Sequence, residues 1–130
     1  MKSTIAAIVA FAAAALAAPA VEKRQTDAIT FSLINDFSGH SAPATISVDN
    51  TDTSFEYLFG NSVLSVNGDI TASSAQLVDN FQNLEFECDI VLDGTVIGVL
   101  TQTQTFANFN GQGNPLKVID VSAASIICQL

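Results

Sequence analysis

The chain has 130 residues, 13 of them acidic, 4 basic and one histidine, and its formal net charge at pH 7 is −9. Residues 1–24 hold one acidic and three basic residues, so residues 25–130 carry 12 acidic residues against the single base Lys117, a net charge of −11. A surface this acidic argues against nucleic-acid binding, which requires a basic footprint, and against docking on anionic membranes.

The start of the chain has the pattern of a secretory signal. Met1-Lys2 is a short basic start, residues 5–16 form an apolar run of about a dozen residues, and Ala15-Leu16-Ala17 is an A-x-A cleavage site. The run is shorter than the roughly 20 apolar residues that a membrane-spanning helix requires. We therefore predict a signal peptide over residues 1–17, cleaved after Ala17, and no membrane anchor.

A second processing site follows the signal. Residues 18–24 read APAVEKR and end in the dibasic pair Lys23-Arg24, after which kexin-type secretory proteases cut. This predicts a propeptide over residues 18–24 and a mature protein over residues 25–130. That length is typical of one domain, and we expect it to be secreted and extracellular.

Period-two alternation dominates the first part of the mature chain. Residues 28–34, AITFSLI, alternate apolar and polar side chains as a half-buried strand does. Residues 35–43, NDFSGHSAP, form a turn cluster, and residues 44–48 are a second strand candidate. A short helix is an alternative at residues 54–59 or 74–80. The core draws on eight phenylalanines: Phe31, Phe37, Phe55, Phe59, Phe81, Phe86, Phe106 and Phe109.

Two dipeptides predict hairpin turns. Asp93-Gly94 separates FECDIVL from TVIGVL, and a two-residue Asp-Gly loop favours a type I′ turn. Counting outward from it, Ile90 faces Ile97 and Cys88 faces Val99 on a core face, and the acids Glu85, Glu87 and Asp89 alternate on the solvent face. Asn67-Gly68 marks a second turn, between SVLSV and DITAS.

The end of the chain continues the β pattern. Residues 101–106 are a β-prone polar stretch, residues 108–115 are a loop rich in glycine and asparagine, and residues 116–121 and 124–130 are the closing strands. About eight short strands with no prominent helix predict an all-β domain, a small antiparallel sandwich or barrel.

The two cysteines, Cys88 and Cys128, are the only ones in the chain. An even count in a secreted protein predicts one disulfide. A zinc site is the weaker alternative, because two cysteines and the distant His40 leave the metal short of a ligand.

Residues for catalysis or cofactor binding are hard to find. His40 is the only histidine, no G-x-S-x-G nucleophile elbow is present, and a solvated face explains Glu85, Glu87 and Asp89 better than a glycosidase acid pair does. Residues 49–52, DNTD, offer oxygen ligands for calcium but lack the EF-hand spacing, so a turn is the prediction and a weak calcium site is the alternative. We predict no enzymatic activity, no catalytic residues, no bound metal and no cofactor.

Several segments carry a family resemblance. They are residues 35–42 (NDFSGHSA) within the longer ITFSLINDFSGHSAPATISVD, residues 73–77 (SSAQL), residues 110–115 (NGQGNP) and the final SIICQL. With the signal and the Lys-Arg propeptide, this order resembles small secreted fungal proteins that induce the plant hypersensitive response, over essentially all of the mature chain. The resemblance implies an elicitor or effector that is sensed by, or acts on, a host cell, and it supplies no catalytic residues.

Three functions follow as hypotheses. The leading one is a secreted effector that binds a host cell-surface or apoplastic protein. The alternatives are a structural protein of the cell wall or extracellular matrix without a host role, and a small inhibitor of an extracellular enzyme. Binding sites on β scaffolds concentrate in loops, so the candidate binding residues are Asn35, His40, Asn110 and Asn114.

Overall fold

The computed structural model describes residues 27–78 and 84–130. The predicted signal peptide, the propeptide and their cleavage residues Ala17, Lys23 and Arg24 lie outside the described residues, as does Phe81.

The described part of the chain contains eleven strands and one short helix. In chain order they are β1 (Ala28–Asn35), β2 (His40–Ser47), β3 (Asp52–Ser54), α1 (Phe55–Phe59), β4 (Ser65–Val66), β5 (Asp69–Ala72), β6 (Ser74–Leu77), β7 (Glu87–Leu92), β8 (Thr95–Thr101), β9 (Phe106–Asn108), β10 (Ile119–Asp120) and β11 (Ser125–Gln129).

These strands form three antiparallel sheets around one hydrophobic core. The first sheet has the order β2-β1-β6-β9, the second β10-β5-β4 and the third β3-β11-β7-β8. Every sheet contributes buried side chains to a single apolar cluster. The all-β prediction is confirmed, with eleven described strands rather than about eight because several are only two or three residues long.

Strand β1 follows its predicted alternation. Ile29, Phe31 and Leu33 are buried, and the hydroxyl residues between them are half-buried. Its partner β2 begins at His40 rather than at residue 44, so the predicted turn cluster was too long. Pro43 lies inside β2, where it is accommodated because β2 is an edge strand and a proline there need not donate to a further neighbour.

The Asp93-Gly94 turn is confirmed, but the register counted from it was wrong. Both turn residues have positive φ, 52° and 82°, as a type I′ turn requires. A bulge next to Ile90 then shifts the pairing, so that Ile90 lies opposite Gly98 and Cys88 opposite Leu100. One extra residue on β8 changes which side chains face the core, and Leu100 is buried where Val99 was expected.

Close packing explains why residue 98, beside the bulge, is a glycine. A Cβ atom there would lie 3.0 Å from the Cβ of Ala107 and 3.3 Å from the ring of Phe109. Strand β8 of the third sheet therefore packs directly on β9 of the first sheet.

The helix alternative at residues 54–59 is confirmed as α1, and the one at residues 74–80 was wrong over β6. Ser54 caps α1, because its side-chain oxygen accepts a hydrogen bond of 3.1 Å from the backbone N–H of Tyr57. Residues Ser74–Leu77 instead form an inner strand between β1 and β9, and pairing on both sides outweighs their weak helical propensity.

The Asn67-Gly68 turn is confirmed, and it joins β4 to β5 with positive φ at both residues. Of the predicted closing strands, residues 116–121 contribute only the two-residue β10, whereas β11 is complete. Asp120 in β10 accepts hydrogen bonds from the hydroxyl and the backbone N–H of Ser122, and these hold the pKa of Asp120 below its ordinary value.

The predicted disulfide is confirmed. Cys88 on β7 lies directly opposite Cys128 on β11, with their Cα atoms 4.0 Å apart, and both side chains are fully buried. The bond therefore ties the last strand of the chain to an inner strand of the third sheet. No helix among the described residues is long and apolar enough to cross a membrane.

Candidate binding surface

The two candidate binding loops meet at one end of the first sheet. Three neighbouring residues mark this end of β1, β6 and β9, namely Ile34, Ser74 and Asn108. The turn after β1 and the loop after β9 therefore leave the sheet at the same end. Adjacent strands lie about 4.8 Å apart, which places the two loops roughly 10 Å from each other. We call this surface, formed by residues 36–40 and 109–116, the loop end.

Ser73 joins the two loops. Its backbone N–H donates to the carbonyl of Ile34 at 2.8 Å, and its own carbonyl accepts from Phe109 at 3.1 Å. Its hydroxyl donates to the same Ile34 carbonyl at 3.2 Å and accepts from the backbone N–H of Asp36 at 3.1 Å. Because Ser73 is fully buried, these bonds fix both loops to the same internal residue.

Asn35 shapes the first loop from inside. The residue is only 7% exposed, and its Oδ1 accepts hydrogen bonds from the backbone N–H groups of Phe37 and Ser38, at 3.1 and 2.9 Å. Its Nδ2 donates to the carbonyl and the hydroxyl of Thr71. The predicted binding residue Asn35 is thus positioned to hold the turn rather than to present its own side chain.

The residue that the turn presents is Phe37. It was expected in the core, and that expectation was wrong because its side chain is 91% exposed. The four residues between Asn35 and His40 lie beyond the last pair of the β1–β2 ladder, so the alternation that buries Phe31 does not extend to Phe37. His40, the first residue of β2, is also exposed.

The second loop is held by its own amides. Asn108 is buried; its Oδ1 accepts from the backbone of Asn110 at 2.9 Å, and its Nδ2 donates to the carbonyl of Asn114 at 2.6 Å. The side chain of Asn110 donates to the Pro115 carbonyl, and that of Asn114 donates back to the Asn110 carbonyl. The predicted binding residues Asn110 and Asn114 are exposed, but part of their hydrogen-bonding capacity stabilises the loop itself.

Replacing Asn35 by alanine is expected to lower the free energy of unfolding by about 1–3 kcal/mol. The substitution removes the acceptor for two N–H groups of the turn and the donor to Thr71, so these part-buried groups lose a hydrogen-bond partner. Asn35→Asp keeps the acceptor for the turn but replaces the donor to Thr71 with a charged oxygen, so its loss of stability reports on the Thr71 side of the residue. Urea unfolding of the three proteins measures the difference. Equal stability of Asn35→Ala and the unchanged protein would contradict this role.

Of the three acidic residues that alternate in the sequence, Glu87 and Asp89 lie on β7 of the third sheet and Glu85 lies just before it. Glu85 and Glu87 line a shallow cavity of about 250 Å³ with Phe86, Gln129 and Leu130. Asp89 is half-buried between its cross-strand neighbours Val99 and Ile127, and its Oδ1 has no hydrogen-bond partner in the described part of the chain. The structure does not bring His40 into this group, because His40 belongs to the first sheet.

The sequence stretch considered for calcium forms a turn. Asp49 Oδ1 accepts a hydrogen bond of 3.1 Å from the backbone N–H of Thr51, and Asn50 between them has a φ of 66°. Over residues 27–78 and 84–130, no three His, Cys, Asp or Glu residues group closely enough to hold a metal ion.

Comparison with models of protein families, with curated proteins and with solved structures found no match to this chain.

Proposed function

We propose that the chain is a secreted effector that acts by binding, and that the loop end is its contact surface. The observation that carries the proposal is the joining of two loops through Ser73 beneath a nearly fully exposed Phe37. The expected target is a host cell-surface or apoplastic protein. The resemblance to hypersensitive-response-inducing proteins supports plant defence or cell death as the outcome of binding.

A loop end of this kind suits protein recognition. Binding is weakened by the entropy lost when mobile loops become ordered, and internal hydrogen bonds through Asn35, Ser73 and Asn108 reduce that loss in advance. Exposed aromatic side chains supply much of the affinity at protein interfaces. Phe37 therefore has the chemistry of an anchor residue, with Leu116 on the neighbouring loop as a second, partly exposed apolar group.

The disulfide and the charge support an extracellular site of action. A buried disulfide is typical of proteins that work in oxidising surroundings outside the cell. The excess of acidic residues favours solubility and disfavours binding to nucleic acid. We further propose that the activity needs no catalytic step.

The test is infiltration of purified residues 25–130 into leaves of several plant hosts. The unchanged protein, Phe37→Ala and Val66→Ala are compared at the same dose. Val66 is the control because it is also an exposed apolar residue, 62% accessible, but lies in β4 of the second sheet. We expect cell death or defence-gene induction with the unchanged protein and Val66→Ala, and a much weaker response with Phe37→Ala.

Two outcomes count against the proposal. If the unchanged protein gives no response in any host, the effector function is wrong and the cell-wall alternative replaces it. If a folded Glu85→Gln, Glu87→Gln or Asp89→Asn variant is inert, a catalytic role gains support, because losing a general acid or base costs orders of magnitude whereas losing one rim carboxylate of a binding protein does not.

A further inference from the structure

A groove opens at the end of the first sheet opposite the loop end. The β1–β2 ladder has Asn35 and His40 at one end and Ala28 and Ser47 at the other, a separation of roughly 20–25 Å at about 3.4 Å per residue. The groove has a volume of about 180 Å³. Its walls come from β2, the turn after it, β3 and α1, and they consist of Thr45, Ile46, Ser47, Asp49, Thr51, Thr53, Tyr57 and Leu58.

Hydroxyl groups dominate these walls. Those of Ser47, Thr51, Thr53 and Tyr57 have no hydrogen-bond partner among the described residues. Thr45 adds a fifth hydroxyl, which is 2.8 Å from that of Thr30. The groove therefore offers several donors and acceptors to a bound molecule at little cost to the protein's own hydrogen bonds.

Tyr57 supplies the one aromatic wall. Its side chain is 82% exposed, yet its backbone is fixed, because its N–H donates to Ser54 and the flanking residues Phe55 and Phe59 are fully buried in the core. The ring is thus held at the surface on a short, anchored helix. An exposed ring with a hydroxyl at its tip, carried on an anchored backbone, can pack against an apolar face and hydrogen-bond at its edge.

The acidic side of the groove is equally well fixed. Asp49 Oδ1 accepts from Thr51, so the carboxylate is oriented by the turn it forms. The next residue, Asn50, donates from its backbone to the carbonyl of Cys128 at 2.7 Å, which ties the turn to the disulfide-linked strand β11. The backbone on both sides of the groove is therefore held before any ligand arrives.

The lining selects the class of ligand. It contains no basic side chain, which disfavours phosphates, sulfates and carboxylates. Its apolar members are only the buried Ile46 and the partly buried Leu58, too little for a lipid chain. A single ring and a single carboxylate, already bonded to Thr51, fall short of the aromatic cage that holds an organic cation.

We propose that this groove binds one sugar ring of a neutral glycan. A pyranose has a C–H face that can pack on Tyr57, and its hydroxyls can exchange hydrogen bonds with the threonine and serine hydroxyls and donate to Asp49. The volume suits a single ring rather than a larger compound, since pockets for drug-sized ligands span roughly 300–1,000 Å³. Glycan binding here is separate from the loop end and does not depend on its function.

The test titrates isotope-labelled residues 25–130 with neutral hexasaccharides of β-1,3-glucose, β-1,4-glucose, β-1,4-xylose and N-acetylglucosamine, and follows backbone amide shifts by NMR. We expect at least one hexasaccharide to shift the amides of residues 45–58 with saturation, and to leave those of residues 36–40 unmoved. Calorimetry then gives the dissociation constant. Binding is expected to persist after a chelator is added.

Three variants test the assigned contacts. Tyr57→Ala is expected to weaken binding about tenfold or more, whereas Tyr57→Phe, which keeps the ring, is expected to retain most of it. Asp49→Asn keeps the acceptor for Thr51 but loses the charge, and is expected to weaken binding several-fold. Phe37→Ala, at the far end of the sheet, is expected to bind as the unchanged protein does.

The proposal is overturned if none of the four hexasaccharides shifts the groove amides, or if Tyr57→Ala binds as tightly as the unchanged protein. It is also overturned if choline or lysine saturates the groove and the sugars do not. Because the Tyr57 side chain lies outside the core, a melting temperature equal to that of the unchanged protein is expected for both Tyr57 variants and verifies that they are folded. If the unchanged protein binds none of the sugars but still gives the leaf response, the glycan site is refuted and the proposed function of the loop end is not.

Discussion

Replacing Cys88 and Cys128 together by alanine is expected to lower the free energy of unfolding by about 4 kcal/mol. The two residues are 40 positions apart, and closing a loop of that length removes much of the conformational freedom of the unfolded chain. For a domain of about 100 residues, this corresponds to a melting temperature lower by roughly 15–30 °C.

The position of the bond adds to its effect. It joins directly opposed residues on β7 and β11, and β11 in turn pairs with β3 and accepts the hydrogen bond from Asn50 at its Cys128 carbonyl. Release of β11 should therefore loosen the third sheet and also the turn beside the groove that we propose binds a glycan. Sugar binding in the double-alanine protein should weaken at temperatures where the unchanged protein still binds.

Thermal unfolding with and without a reducing agent distinguishes the stability that comes from the disulfide bond from the stability that comes from packing of the sulfur atoms. Reduction leaves two buried thiols in place, whereas the alanine substitutions also remove their packing, so the reduced protein should be slightly more stable than the double variant. A melting temperature unchanged by complete reduction would contradict the prediction.

The sequence predicted those features of the fold that depend on neighbouring residues. Alternation over residues 28–34 predicts β1, because one face of that strand is buried and the other is half-solvated. The Asp93-Gly94 and Asn67-Gly68 turns are predictable because few other residue pairs adopt two successive positive φ angles. The disulfide follows from the count of two cysteines in a chain with a predicted secretory signal.

Features that depend on distant residues were not predictable. The bulge next to Ile90 occurs where Gly98 packs closely on Ala107, which is on β9 of another sheet, and on Phe109, which follows β9. Counting from a turn cannot detect such a contact, and so the register was wrong beyond the second pair. Pro43 likewise looks like a turn residue until its strand is known to be an edge.

The loop end and the groove also differ in how far the sequence predicts them. The loops of the loop end were visible as clusters of turn residues, but the buried Ser73 that joins them belongs to neither cluster. Asn35 signals its role through the N-D-F-S-G order, which is typical of a side chain that bonds the backbone two and three residues ahead. The groove has no sequence signal, because its walls come from β2, β3 and α1, and only folding brings Ser47 and Tyr57 to one cavity.

Replacing Phe31 by alanine is expected to lower the free energy of unfolding by about 3–5 kcal/mol, the largest effect of any single substitution we predict. Phe31 is fully buried on β1, and its ring lies 5.7 Å from that of Phe59 and 6.3 Å from that of Phe55. Those two rings are themselves 5.4 Å apart in an edge-to-face arrangement. Phe31 is therefore one of the core contacts that join the first sheet to α1, together with those from β2.

A helix of five residues has no stability of its own and depends on such packing, so removing the Phe31 ring should also weaken the attachment of α1. Phe31→Leu keeps most of the apolar volume and is expected to lose considerably less stability than Phe31→Ala. Phe37→Ala is the matched control, because it deletes the same side chain from a fully solvated position and should change stability by less than about 0.5 kcal/mol. Denaturant unfolding of the four proteins measures these differences. Equal losses for Phe31→Ala and Phe37→Ala would contradict the assignment of Phe31 to the core and of Phe37 to the proposed binding surface. The same measurement verifies that Phe37→Ala remains folded, which the leaf test of this variant requires.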